Sequence, residues 1–120
     1  IEKPVNEQGY QDNEYSVIIA ANVLHATEDI SVALAHIRQL LAPGGILVLL
    51  EGTRKQIWLD MIFGLLPGWW KFQDSIRDNY PLISIDQWLC VLRESRFSEP
   101  AAFIPHIELG QTIILATATD

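Results

Sequence analysis

A single cysteine, Cys90, stands among the 120 residues, so neither an intrachain disulfide nor a thiolate metal cluster can form. Cys90 reads as a small core hydrophobe in a protein of a reducing compartment. Basic residues are scarce as well. Eight stand against fifteen acidic ones, for a net charge of −7, which leaves little with which to grip a phosphate backbone, and no nucleic-acid partner is expected. The longest apolar block, residues 57–70, is interrupted by Asp60 and falls short of the ~20 residues that a membrane span requires. The first thirteen residues are polar and lack the basic start and apolar run of a secretory signal. The expectation is a cytoplasmic protein without a membrane segment.

Several chemistries also lack their residues. The three histidines, His25, His36 and His106, do not stand at metal-ligand spacing, so no metal site is expected. No serine sits in a nucleophile-elbow context, which disfavours a serine hydrolase. The Pro43-Gly44-Gly45 triplet follows a helical pattern instead of opening one and has no lysine after it, unlike a phosphate-binding loop.

What is present is an alternation of strand and helix in one domain, 1–120. Residues 15–21 (YSVIIAA) form a short β-rich run without polar alternation, the pattern of a strand covered on both faces in a parallel sheet. Residues 27–41 then follow helical spacing through Ile30, Ala33, Leu34, Ile37, Leu40 and Leu41, with Thr27 as the expected N-cap. The PGG triplet ends that helix, and ILVLLEGT (46–53) repeats the strand pattern, completing a βαβ unit with parallel strands. Ser84 with Gln87 three residues on is a capping box before a second amphipathic helix. Residues 101–106 (AAFIPH) and 112–118 (TIILATA) read as a closing antiparallel hairpin, with Pro105 marking the first as an edge strand. The stretch 54–83 is apolar nearly all round and broken by Pro67 and Gly68. It is either buried core or a lid-like insertion, and its departure from the carboxyl end of a strand points toward a ligand crevice.

The same rule singles out NVLHAT, residues 22–27. Asn22 and His25 leave the carboxyl end of the first strand, and Glu51 leaves that of the next. Adjacent parallel strands bring the three to one rim. An imidazole backed by a carboxylate is a general base with a fixed tautomer and a stabilised cation. On position alone, His25 could equally be a structural hydrogen-bonding residue and Glu51 a solvated strand terminus. Trp69 and Trp70 could stack on a ligand or pack a loop.

YSVIIAANVLHATEDISVALAHIRQLLAPGGILVLLEGT, then LDMIFGLLPGWW, then PLISIDQWLCVLRESRFSEP, together resemble the later half of the S-adenosylmethionine-dependent C-methyltransferase domain of modular polyketide synthases. The most specific part of the resemblance is the combination of NVLHAT, EGT and GLLPGWW. It implies an α/β fold: a partial Rossmann-like class I methyltransferase sheet, strands four to seven of seven, with parallel strands and a C-terminal antiparallel hairpin. It also implies S-adenosylmethionine as cofactor and, as substrate and partner, a β-ketoacyl chain on an acyl carrier protein, methylated at the α-carbon. His25 and Glu51 match the family's catalytic dyad. Asn22 falls on the cofactor rim, and Trp69 and Trp70 on the substrate entrance. The glycine-rich turn and acidic ribose-binding residue that begin such a domain are not in the sequence, and IEKP resembles the end of a third strand. The resemblance therefore implies a piece of a larger domain, inactive alone, whose first strand keeps an unpaired edge open to self-association. The alternative is a non-catalytic methyltransferase-like packing module of a megasynthase.

Overall fold

The structure, a computed structural model, describes residues 1–119, with the backbone alone at 106 and 107. Four strands form one sheet: β1 (Tyr15–Ala21), β2 (Leu41–Gly52), β3 (Phe97–His106) and β4 (Gln111–Ala118), in the spatial order β1-β2-β4-β3. β1 and β2 are parallel, whereas β4 runs antiparallel to both β2 and β3. The parallel pair and the closing hairpin are thus as expected from the apolar runs, and the strand containing Pro105 lies at a sheet edge, where its missing N–H does no harm.

Because side chains alternate across a strand, register lines up rows on the face that meets the helices. One row runs Ile18, Leu47, Ala116; the next runs Ala20, Leu49, Ile114, Ala102. Against these rows pack α1 (Ile30–Leu40), through Ile30, Ala33, Leu34 and Ile37, and α3 (Ile85–Glu94), through Trp88, Val91 and Leu92. The opposite face of the sheet is less covered. Val17 and Ile19 of β1 are 52% and 72% exposed. Burial on both faces of β1, inferred from its unbroken apolar run, is therefore not what these residues provide: among the described residues β1 lies at the sheet edge, with α1 and α3 packed on one face.

The first helix starts later than expected. Asp29, not Thr27, is its N-cap, accepting a hydrogen bond from the Val32 N–H at 3.1 Å. Thr27 is occupied elsewhere: a 3₁₀ turn spans Leu24–Ala26, and the Thr27 hydroxyl donates back to the Leu24 carbonyl at 2.6 Å. After α1 the chain enters β2 directly at Leu41, so PGG lies inside the strand as a bulge. The register steps from Tyr15↔Leu41 to Val17↔Ile46 across it. Gly44 has φ +77, and a Cβ on Gly45 would stand 2.8 Å from the Ala42 carbonyl oxygen, so both glycines are needed for this close pass. The capping box at Ser84 and Gln87 is present in full.

The stretch 54–83 holds one short helix, α2 (Ile57–Phe63), and a 3₁₀ turn, Pro67–Trp70. Its two ends differ: Leu59 is the buried residue of α2, while Ile57, Trp58, Met61, Ile62, Leu65 and Leu66 are exposed, whereas Ile76 packs against the core and Ile83 joins it. Among the described residues no helix is long and apolar enough to cross a membrane.

Trp88→Ala should lower unfolding stability by ~3–5 kcal/mol, since it empties a fully buried site between α3 and the sheet. Ser84→Ala should cost about 1 kcal/mol, the loss of one cap. Urea unfolding of the intact protein measures both, and the reverse order of costs would contradict this description of the core.

Candidate active site

Glu51 continues the buried row of β2 by one more alternation beyond Leu47 and Leu49, opposite Thr112 of β4. Its side chain is therefore fully buried, with 0% exposure. A buried carboxylate needs hydrogen-bond partners, and two converge on it. The Leu24 N–H donates to Oε1 at 3.0 Å, and His25 Nδ1 lies 2.7 Å from Oε2.

Those partners arrive through a turn of the chain at Asn22. Its N–H makes a last ladder bond to the Leu50 carbonyl at 2.7 Å, and its φ of 53° swings the chain off the strand in a left-handed conformation that asparagine tolerates. The Leu24–Ala26 turn follows at once, burying Leu24 and leaving the His25 side chain 16% exposed. Asn22, His25 and Glu51 thus meet at the carboxyl ends of β1 and β2. Asn22 and His25 line a cavity of about 600 Å³, and Glu51 stands behind the histidine.

The rest of the cavity wall is largely apolar and comes from the 54–83 stretch, including Leu59, Phe63, Leu66 and Trp69. Trp69 is 8% exposed, packs edge-on to His25 with ring centroids 5.7 Å apart, and stacks on Phe63. Trp70 is placed differently. It is 45% exposed, does not line the cavity, and donates its indole N–H to the Gly64 carbonyl at 2.8 Å. Tyr80 stands edge-on to both tryptophans and donates its hydroxyl to Asp60 at 2.7 Å. Burial, reinforced by that carboxylate, pushes the phenol well above its ordinary range, so Tyr80 stays a protonated donor tying its loop to α2.

Arg77 was not visible as a site residue in the sequence. Its guanidinium is buried, pairs with Asp74 at 3.0 Å, and donates to the carbonyls of His25 and Thr27 at 2.7 and 2.6 Å. The partners are main-chain atoms about fifty positions away, which leave no mark in the pattern of side chains. The one local cue is the i,i+3 spacing of Asp74 and Arg77. Among the described residues no three of histidine, cysteine, aspartate or glutamate converge in a way that could hold a metal ion.

Comparison with known proteins gives this geometry a setting. Residues 2–47 match a family described as a methyltransferase domain. The chain is 47% identical over 98 residues to the highly reducing polyketide synthase ACTTS3 of Alternaria alternata, covering 82% of the chain and 4% of that protein. It is 38% identical over 122 residues to the polyketide synthase-nonribosomal peptide synthetase ACE1 of Pyricularia oryzae, covering all of the chain and 3% of that protein. Among solved structures, the CurJ carbon methyltransferase superposes with a TM-score of 0.93 at 47% identity, over 99% of this chain and 33% of that one. The CMeT domain of the citrinin polyketide synthase gives 0.88 at 30% identity, over 99% and 31%. The chain thus spans only a few per cent of the curated synthases it matches and about a third of the solved chains. Sequence and fold together make it part of a class I methyltransferase domain of the polyketide synthase family.

Proposed function

We propose that the protein containing this chain transfers a methyl group from S-adenosylmethionine to the α-carbon of a β-ketoacyl chain carried on an acyl carrier protein. The observation that carries this reading is the His25–Glu51 pair at the wall of an apolar cavity. A packing module gains little from burying a carboxylate, because hydrophobic residues of similar volume commonly serve as well. The carbon methyltransferases among its structural relatives support the choice of carbon as acceptor.

The chemistry follows from the pair. With Glu51 ionised, Nδ1 carries the ring proton and donates it to Oε2, so Nε2 keeps its lone pair. The α-carbon of a β-ketothioester is flanked by two carbonyls, and its C–H is acidic enough for an imidazole to remove. Nε2 takes that proton and the C–H electron pair delocalises as an enolate onto the carbonyls; with the donor bound, the carbon would take the methyl group as the methyl–sulfur bond breaks and its electron pair stays on sulfur. Glu51 stabilises the imidazolium so formed. Holding carbon and methyl in line within a dry cavity accounts for a further part of the rate. Trp69 walls the acyl path beside the base. Trp70, outside the cavity, shapes its entrance by fixing the turn to Gly64, and the 54–83 stretch serves as the lid.

The rim fits the edge of a cofactor site. Asn22 is exposed, lines the cavity, and has no partner for its side-chain amide among the described residues, so it can hydrogen-bond a bound cofactor. When bound, S-adenosylmethionine supplies the electrophilic methyl group. The chain on its own offers only this edge, and we assign it no activity in isolation. Titration of S-adenosylmethionine into the isolated 120-residue chain should show no binding below the millimolar range; saturable micromolar binding would show that the site lies within these residues.

In the full-length protein, His25→Ala should reduce methyl transfer ~10²- to 10⁴-fold with cofactor affinity near that of the unmodified protein. Glu51→Gln should show a partial loss, because an amide keeps a hydrogen bond but not the charge. In the same steady-state assay Trp69→Ala should raise the KM for carrier-bound substrate more than it lowers kcat. Full methyl transfer by His25→Ala would remove the proposed base.

A further inference from the structure

The Leu24–Ala26 turn that presents His25 is short, and its main-chain hydrogen bonds close two contacts, Ala26 N–H to the Val23 carbonyl and Thr27 N–H to the Leu24 carbonyl. The carbonyls that follow need donors from elsewhere. They find them in Arg77, which lies fifty-two positions after His25 and fifty after Thr27 in the 54–83 stretch.

All five N–H bonds of this guanidinium are accounted for. Nη1 serves the carbonyls of His25 and Pro81, Nη2 serves the Thr27 carbonyl and Asp74 Oδ2, and Nε serves the Asp74 carboxylate. Asp74 in turn accepts the Ile30 N–H at 2.9 Å, one of the unpaired donors at the start of α1. One ion pair therefore grips the chain within the turn, at His25, and just beyond it, at Thr27 and Ile30. Phe72 covers the guanidinium from one side, with its ring centre 5.2 Å away.

We propose that Arg77 is a positioning residue for the general base: it fixes the backbone of residues 25–27 so that His25 Nδ1 stays on Glu51 while the imidazole faces the cavity. The residue type follows from the geometry. A planar fork can span two carbonyls and a carboxylate at once, whereas a lysine ammonium on a single point cannot. With Arg77 replaced by Lys, the charge opposite Asp74 is kept and the fork is lost. The turn then has carbonyls without donors and moves to find them, and His25 moves with it.

This proposal rests on the reading of His25 as the base, and the test separates the two. The full-length protein is compared with Arg77→Lys, Arg77→Gln, His25→Ala and the His25→Ala/Arg77→Lys double variant. Arg77→Lys should lower kcat by ~10²-fold, the order of loss that small misplacement of a reacting group causes. KM and cofactor affinity should stay within about three-fold, and the substitution should be silent in the His25→Ala background. If Arg77→Lys does not fold, Arg77→Gln, which keeps one or two donors without charge, takes its place with the same expectation. A crystal structure of the folded variant reads the position directly and without reference to activity: Nδ1 to Oε2 should exceed hydrogen-bond length. A pair still at 2.7 Å, or an equal further loss of kcat in the His25→Ala background, overturns the proposal. Unimpaired catalysis by His25→Ala would instead overturn the base assignment, while the crystallographic distance would still decide whether Arg77 holds the turn.

Discussion

A carboxylate with no exposure to water organises this site. Glu51 is where it is because β2 alternates, and a residue two positions beyond Leu49 must face the same layer of helices. Burial of the charge then obliges other groups to come to it. Two do so from consecutive residues, the Leu24 amide and the His25 ring. The core thus dictates the site: the register that packs Leu47 and Leu49 against α1 and α3 also fixes the acceptor that orients the histidine.

The second layer of the site is the 54–83 stretch, which does two jobs at once. Its outer residues, among them Leu59, Phe63, Leu66 and Trp69, wall the cavity in front of His25. Its inner residues, Asp74 and Arg77, hold the turn behind His25. Tyr80, kept protonated by burial and by its bond to Asp60, joins α2 to that inner part. The stretch that walls the cavity is thus also hydrogen-bonded to the backbone of the turn that carries His25. The surface pair of Lys71 and Glu2 across the same region adds little to this, being a third or more exposed on both sides.

Strong local patterns made most of the fold legible in the sequence. The capping box at Ser84, the edge position implied by Pro105 and the parallel pair around α1 each rest on a rule that tertiary context did not overturn. The His25–Glu51 pair was legible in two steps: the carboxyl ends of adjacent parallel strands bring both residues to one rim, and the family resemblance singled them out. Several readings failed for physical reasons. Cys90, read as a core hydrophobe, is exposed, because the buried face of α3 is made by Trp88, Val91 and Leu92, and PGG, read as the helix stop, lies inside β2. Thr27 looked like a cap, but a 3₁₀ turn that no periodicity announces took its hydroxyl and passed the role to Asp29. The unbroken apolar run of β1 suggested two covered faces, whereas the described residues cover one. Arg77 was invisible because its partners are mostly carbonyls, and every residue has one.

The central claim is that His25, oriented by Glu51, removes a proton from the carbon that becomes methylated. The most direct measurement is exchange of the α-protons of a β-ketoacyl substrate with deuterated solvent, catalysed by the full-length protein in the absence of any methyl donor. The account predicts that the unmodified protein accelerates exchange and that His25→Ala, folded and able to bind cofactor, does not. Exchange at the unmodified rate in that variant would contradict it.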